Sequence, residues 1–385
     1  MPESLSPDRL LARALAGTAP AWPVAWQAPT ATDRLLARIA YHGIGGLLFE
    51  QRSVLSGWPT AVLDNLREQA IARTMWEMRH RLLLATLLER FAAAGIPSLI
   101  LKGSALAYDL YPSPASRVRG DTDLLIDRAD LQPAREALAG LGYRLLGDAA
   151  PGLDDLNLQE VWQLRSADGG SHDLDLHWQA LNSPALRDQL PFHECIAAAR
   201  PLPRLHPAAR GLDHARALLH ACLHRAQHIS SPYHVEGDTH YGGDRLIWAH
   251  DIHLLAAALE PEQWQQLCRI ARAEGSAAAC LAGLEFARAR LGTAWPEEVT
   301  AQLQAAGMQA ASRYLLGGRQ VQRALFDLRA MPGSRLKLRY LGLRLFPSAA
   351  FLRDKYPRMQ RAPLWLLHLR RLLDFFRHRA QGADR

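Results

Sequence analysis

Asp121 and Asp123 stand one residue apart in the stretch LILKGSALAYDLYPSPASRVRGDTDLLI, which runs from Leu99 to Ile126. In a β-strand alternate side chains share a face, so the two carboxylates point the same way. Like charges this close repel unless a cation sits between them. Mg²⁺ takes hard oxygen ligands and commonly bridges one or two carboxylates to phosphate groups. A surface turn that opens a strand explains the same Asp-x-Asp with no ion at all, because Asp is frequent in turns. The pair therefore needs support from elsewhere in the chain.

Two other segments supply it. In HDLDLHW, alternation puts Asp173, Asp175 and His177 on one face and Leu174, Leu176 and Trp178 on the other. If the Leu/Trp face packs on helices, the acidic residues line the opposite face, and a third carboxylate from a neighbouring strand completes a two-metal cluster. Lys102-Gly103-Ser104 ends an apolar run and reads as a strand-to-helix turn, and a helix N-terminus offers free N–H groups to phosphate. Gly103 lets a backbone approach closely, Ser104 can cap the helix and bond phosphate, and Lys102 adds charge.

The elements that must hold these residues follow from periodicity. Residues 33–49 and 60–94 read as amphipathic helices, the second closed by Gly95 with Pro97 beyond. PSLILKG and DTDLLID read as strands, RADLQPAREALAGLGY as a helix ending at Gly142, and YRLLG as the start of another strand. VWQLRSADGGSHDLDLHWQ reads as a hairpin with an Asp-Gly-Gly turn. Helices return from about residue 206, two of them between Pro261 and Leu291. The last stretch, 320–385, is helical with breaks at Pro332-Gly333, Pro347 and Pro357. This predicts an α+β protein, mostly helical, with a small mixed sheet. Its expected divisions are an N-terminal helical region (1–90), a core (91–205), a helical domain (206–310) and a basic helical C-terminal region (311–385).

At 385 residues with 49% hydrophobic content, the chain can bury substantial cores. No apolar run approaches the length of a membrane span. The first residues, MPESLSPDRLL, lack the basic and apolar leader pattern of a secretion signal. Cys195, Cys222, Cys268 and Cys280 are widely spaced, without a CxxC pair, so a reduced, cytoplasmic protein is expected. The net charge of +7 hides an asymmetry: residues 311–385 carry 17 Lys/Arg against 4 Asp/Glu, a balance of +13, so the rest sums to −6. Such a segment could meet nucleic acid, an anionic lipid surface or a phosphorylated partner, or form a solvated face paired with the acidic remainder.

The order Gly-Ser, helix, Asp-x-Asp, then an acidic residue between apolar neighbours resembles the polymerase-beta-type nucleotidyltransferase superfamily. More closely, LKGSALAYDLYPSPASRVRGDTDLLI, the later GY and DLDLHW are similar to a bacterial group of nucleotidyltransferase family proteins of unassigned substrate. Arg117 falls at that group's Arg position four residues before Asp-x-Asp, and the likeness extends over most of residues 85–360. The resemblance implies that Asp121, Asp123 and Asp175 bind two Mg²⁺ ions (Mn²⁺ as substitute). It also implies that Asp175 orients or deprotonates an attacking hydroxyl, and that Ser104 and nearby backbone hold the NTP phosphates. Lys102 and Arg117 act as charge clamps in that scheme. The implied reaction transfers NMP from an NTP, ATP among the four, to an acceptor hydroxyl and releases pyrophosphate. One departure is a longer gap between Gly-Ser and Asp-x-Asp than in many members, absorbed by YPSPAS as a loop.

His220, His224 and His228 recur every four residues on one side of an expected helix. Zinc ligation, a face lining the cleft against base, phosphates or acceptor, and plain packing are the three readings, the cleft face being helped by the resemblance. Asp251 is the expected partner for one of these histidines. Trp162, Trp178, Trp248 and Trp264 are expected in the core. The segment LWLLHLRRLLDFFRHR has an apolar and a basic face, and no DNA-reading module is evident. The acceptor is open: a small-molecule, sugar or peptide hydroxyl, a protein side chain, or a tRNA 3′ end, as in tRNA-modifying nucleotidyltransferase toxins. The rivals are a non-catalytic nucleotide-binding protein and a nucleic-acid-binding protein, with RNA or another polyanion meeting the basic C-terminal region.

Overall fold

The computed structural model describes residues 6–381, apart from 27, 147–157, 167–169, 230–231, 236–237, 242, 318–319, 348, 357–358 and 360. The chain divides into two compact units, Met1–Arg323 and Ala324–Arg385. The protein is a mostly helical α+β fold, 63% helical, with a seven-stranded mixed sheet. No helix among the described residues is long and apolar enough to cross a membrane.

The first unit opens with α1 (Pro7–Leu15), α2 (Pro29–His42), α3 (Gly45–Glu50) and the long α4 (Thr60–Ala93). The single helix expected over 33–49 is instead two. Gly43 takes φ +67°, a left-handed value that ends α2, and a Cβ there would lie 2.8 Å from Arg245 Nη2. At the end of α4, Ile96 N–H donates to Phe91 O and Gly95 N–H to Ala92 O, with Gly95 at φ +69°. These paired bonds satisfy the last carbonyls and stop the helix.

The sheet and its crossings follow: β1 (Ser98–Ile100), α5 (Lys102–Asp109), β2 (Asp121–Ile126), α6 (Leu131–Gly140), β3 (Arg144–Leu146), β4 (Gln159–Arg165) and β5 (Ser171–His177). Then come α7 (Phe192–Ala197), β6 (Arg200–Pro201) and β7 (Arg210–Gly211). Strand order is β3-β4-β5-β2-β1-β7-β6, with β2 parallel to β5 and antiparallel to β1. The expected hairpin is β4–β5, although residues 167–169 of its turn lie outside the described residues. Leu124, Ile126, Leu174, Leu176 and Trp178 are buried in one core with Leu84, Leu88 and Phe91 of α4 and Leu138 of α6. Each such aliphatic side chain contributes about 1.5–3 kcal/mol by burial. That burial fixes which face of β2 and β5 stays polar, since a one-residue slip would reverse both.

The unit continues with α8 (His214–His228), the two-stranded β8 (Pro232–Val235) and β9 (Asp238–Tyr241), and α9 (Leu246–Ala258). It is completed by α10 (Pro261–Ala273), α11 (Ala277–Leu291), α12 (Glu297–Ala305) and α13 (Ala310–Leu316). All four cysteines are free and buried. Trp162, Trp178, Trp248 and Trp264 are buried as expected.

α14 (Gln320–Ala330) leads into the second unit, which holds α15 (Ser334–Leu345), α16 (Ala349–Lys355) and α17 (Leu364–Gln381). Within it Tyr340 OH donates to Asp327 Oδ2 at 2.8 Å and Tyr356 OH to Asp374 Oδ2 at 2.9 Å. The breaks at Pro332-Gly333 and Pro347 fall between helices, whereas Pro357 lies outside the described residues.

Candidate active site

Parallel pairing of β2 and β5 sets Asp121 beside Asp173 and Asp123 beside Asp175. The polar face of these strands therefore carries Asp121, Asp123, Asp173, Asp175 and His177. Lys102 Nζ donates to Asp123 Oδ1 at 2.5 Å, and His177 Nε2 lies 2.9 Å from the same oxygen. Gln159 Nε2 donates to Asp175 Oδ2 at 3.0 Å, and Gln163 Nε2 to Asp173 Oδ1 at 2.9 Å.

Charge is unevenly satisfied across this face. Burial alone would raise the Asp123 carboxyl, but Lys102 and His177 hold it well below the usual carboxylate range. Asp175 is pushed up to about 7 by burial and then by the charges of Asp123 and Asp121. Asp121 meets solvent at the start of β2, yet desolvation within the cleft and the Asp123 charge push it up to about 6. Burial would lower the Lys102 ammonium, but the attraction of Asp123 raises it instead. Burial draws the His177 imidazole below its ordinary value despite Asp123. The carboxylates thus crowd one another beyond what one ammonium relieves, and this face could hold a metal ion. Ligand atoms of Asp123, Asp175 and His177 all lie within 4.8 Å of one another, two oxygens and an imidazole nitrogen. Asp121 shares the face but is not one of that group of three.

Lys102 sits at the junction of β1 and α5 with φ +52°. For a residue with a Cβ this left-handed conformation costs roughly 1–2 kcal/mol. The turn ends β1, whose next residue, Leu101, donates its N–H to Asp123 O at 3.0 Å, and starts α5 without a side-chain cap. Ser104 does not cap the helix: Leu101 is the N-cap, and Ser104 lies two residues inside the helix start. Its buried hydroxyl donates to Asp121 O at 3.3 Å, lies 3.2 Å from Thr122 Oγ1, and accepts from Arg119 Nε at 3.1 Å. Gly103 is needed by a side chain of the protein itself. A Cβ there would lie 3.0 Å from both Arg117 Cζ and Nη2.

Arg117 reaches that position through Asp251 of α9, to which it donates from Nε at 2.9 Å and from Nη2 at 2.7 Å. Tyr111 OH donates to the same carboxylate at 2.7 Å. Asp251 therefore serves Arg117 and Tyr111, and not a histidine of α8 as its sequence position suggested. His220 Nε2 donates to Ala180 O at 3.0 Å, which fixes that ring in a structural bond. His224 meets the Trp248 ring edge-on at 5.8 Å and lies 4.5 Å from the His228 ring. Burial, followed by the Lys102 charge, pushes His220 and His228 down to about 4, while burial and the neighbouring His228 take His224 well down. These imidazoles are neutral at pH 7. A cavity of about 40 Å³ is lined by Lys102, Arg117, His220, His224, Trp248 and Asp251, so part of the histidine face adjoins the Lys102 turn. Among the described residues the three histidines form no metal-binding group.

Three residues of this site carry no role in the expectations above. His177 follows Asp175 by two on the same strand face, a spacing visible in the sequence. Gln159 and Arg119 declare themselves only once β4 pairs with β5 and α4 packs behind β2, where Arg119 Nη2 lies 2.7 Å from Glu77 Oε2.

No curated protein matches the chain. The sequence pattern of a family described as uncharacterised nucleotidyltransferase matches residues 28–292, more than half of the chain and all of the site described above. The chain belongs to this uncharacterised nucleotidyltransferase family.

Proposed function

We propose that the protein is a divalent-cation-dependent nucleotidyltransferase that moves NMP from an NTP to an acceptor hydroxyl with release of pyrophosphate. The observation that carries this reading is the register that makes Asp123 and Asp175 neighbours on parallel strands, with Lys102 bonded to Asp123. Asp121, Asp123 and Asp175 are the proposed ligands for Mg²⁺ or Mn²⁺. Divalent ions bound there would stabilise charge on the attacking and leaving oxygens.

The chain's own groups do the rest. Asp175 takes the proton of the acceptor hydroxyl as its oxygen bonds to the α-phosphorus, while the bond from that phosphorus to the bridging oxygen breaks. Lys102 and the first N–H groups of α5, at Gly103 and Ser104, hold the departing phosphates. Arg117, kept against Gly103 by Asp251, adds positive charge at the same helix start. His224, edge-on to Trp248, and His228 beside it are proposed to meet the base or acceptor, a role suited to imidazoles whose charge burial disfavours. A small-molecule or peptide hydroxyl is the favoured acceptor. Residues 324–385 carry 14 Lys and Arg against 4 Asp and Glu, a balance of +10, and this supports RNA as the alternative acceptor or partner.

The test is thermal unfolding with each of the four NTPs, with and without Mg²⁺, for wild type and Asp121→Asn/Asp123→Asn. Ligand at a hundred times its dissociation constant adds about 2.7 kcal/mol. A cation-dependent shift that the double variant loses is expected. Wild type that never shifts would overturn the donor site, and a shift without transfer of label to any acceptor would favour a non-catalytic binding protein.

A further inference from the structure

Asp123 and Asp175 are joined by a route besides the sheet. Gln159 on β4 is the register partner of His177 on β5. Its Nε2 donates to Asp175 Oδ2 at 3.0 Å, and its Oε1 accepts from Asn182 Nδ2. Asn182 Oδ1 lies 3.2 Å from His177 Nδ1, and His177 Nε2 lies 2.9 Å from Asp123 Oδ1. Three hydrogen bonds and one short nitrogen–oxygen contact thus run from one carboxylate to the other.

The direction of this chain follows from its Asp175 end, however the amide atoms are drawn. An ionised carboxylate accepts hydrogen bonds and never donates. With Asp175 ionised, as cation binding requires, Gln159 must turn its NH₂ toward it and its oxygen toward Asn182. Asn182 then gives its NH₂ to Gln159 and keeps its oxygen for His177. That oxygen requires a hydrogen on His177 Nδ1. In a neutral imidazole Nε2 is then bare, its lone pair beside the Asp123 carboxylate. His177 is fully buried, and its bare Nε2 faces, at 2.9 Å, a carboxylate oxygen that is already bonded to Lys102 Nζ. The ligand atoms of Asp123, Asp175 and His177 all lie within 4.8 Å of one another, close enough for that nitrogen and both carboxylates to share one metal ion.

We infer that His177 Nε2 is a ligand of the cation held by Asp123 and Asp175, and that Gln159 and Asn182 are positioning residues that fix its tautomer. The inference rests on the cation-binding reading proposed above. A metal-bound histidine usually hands its other N–H to a fixed acceptor, which orients the ring and raises its basicity. The consequence is a different ion. Mg²⁺ favours all-oxygen sites, whereas imidazole suits first-row transition ions such as Fe²⁺, Ni²⁺ and Zn²⁺. This position of the site is thus built for a transition ion, with His177 as the selecting group.

Mn²⁺ is the probe, because pulsed EPR reads coupling to a ligating ¹⁴N directly. Wild-type full-length protein with Mn²⁺ should show that coupling, and His177→Asn should lose it. Mn²⁺ affinity should fall by roughly 10–100-fold in His177→Asn, and Mg²⁺ affinity by less. Asn182→Ala, at an exposed position that leaves the core intact, should weaken Mn²⁺ about tenfold without losing the ¹⁴N signal. It also decides the matter should His177→Asn fail to fold. Bound Mn²⁺ that depends on Asp123 but shows no ¹⁴N coupling would overturn the ligand assignment and leave the cation site standing. Unchanged Mn²⁺ affinity in Asn182→Ala would overturn the positioning role. Wild type that binds none of Mn²⁺, Zn²⁺ and Mg²⁺ would sink both readings.

Discussion

Lys102 Nζ lies 2.5 Å from Asp123 Oδ1, with the two side chains 20% and 7% exposed, so the ammonium stands against a carboxylate proposed as a cation ligand. A divalent ion and the ammonium then compete for one oxygen, and nucleotide phosphates give the ammonium another anion to meet. Lys102→Met should raise affinity for Mn²⁺ in the absence of nucleotide and weaken NTP binding, each about tenfold, equivalent to about 1.4 kcal/mol. Calorimetric titration of Mn²⁺ alone, then of NTP with Mn²⁺ saturating, separates the two effects. Equal affinities in both proteins would mean that the ion pair is structural only.

Gly103 and Arg117 make a second relationship that mutation can probe. A Cβ on residue 103 would press on a guanidinium that Asp251 holds by two short bonds, so neither neighbour yields cheaply. Gly103→Ala should cost about 1–3 kcal/mol of stability through overpacking. Asp251→Ala should cost about 3–5 kcal/mol, since it leaves Arg117 charged and buried. Both changes displace the same side chain, so the double variant should lose less than the two single losses combined. Strict additivity in denaturant unfolding would show that the two sites act independently.

How much of this was legible in the sequence depends on the range of the interaction. Alternation alone separates Leu174, Leu176 and Trp178 from Asp173, Asp175 and His177, because a half-buried strand must repeat every two residues. Helix ends marked by Gly95 and Gly142 were legible for the same local reason. Gly43 was not, because apolar periodicity continues across it while Arg245, far along the chain, fills the space a Cβ would need. Ser104 looked like a cap by type and place, yet Thr122 and Arg119 draw its hydroxyl inward. Asp251 lies 134 residues from Arg117, and no local pattern ties one to the other.

The basic unit, Ala324–Arg385, gives a prediction about partners that is independent of the cation site. Binding of single-stranded RNA through it should weaken steeply between 50 and 200 mM salt, because each phosphate contact releases counterions. Arg335→Glu/Lys337→Glu/Arg339→Glu should weaken that binding at low salt and leave the NTP-induced thermal shift alone. Asp121→Asn/Asp123→Asn should do the reverse. Fluorescence anisotropy with a labelled RNA checks both. Binding that ignores salt, or survives the charge reversal, would remove the polyanion role from this unit.

Glu274, at the end of α10, supplies a pH signature remote from the cation site. Leu190 N–H donates to its Oε1 at 3.0 Å, while burial and then the nearby Glu194 charge push the carboxyl up from 4.5 to about 7, against that bond and Arg216. The folded state therefore holds this proton more tightly than the unfolded chain does. The associated stability is fully present below about pH 4.5 and is lost as pH rises through about 7. Allowing for the partial exposure of the side chain, the loss is about 2–3 kcal/mol. Glu274→Gln keeps an oxygen for Leu190 N–H and carries no charge to desolvate. Urea unfolding at pH 5 and pH 8 should therefore show the variant close to wild type at the lower pH and more stable at the higher one. Parallel losses between the two pH values in both proteins would assign the pH dependence to other groups.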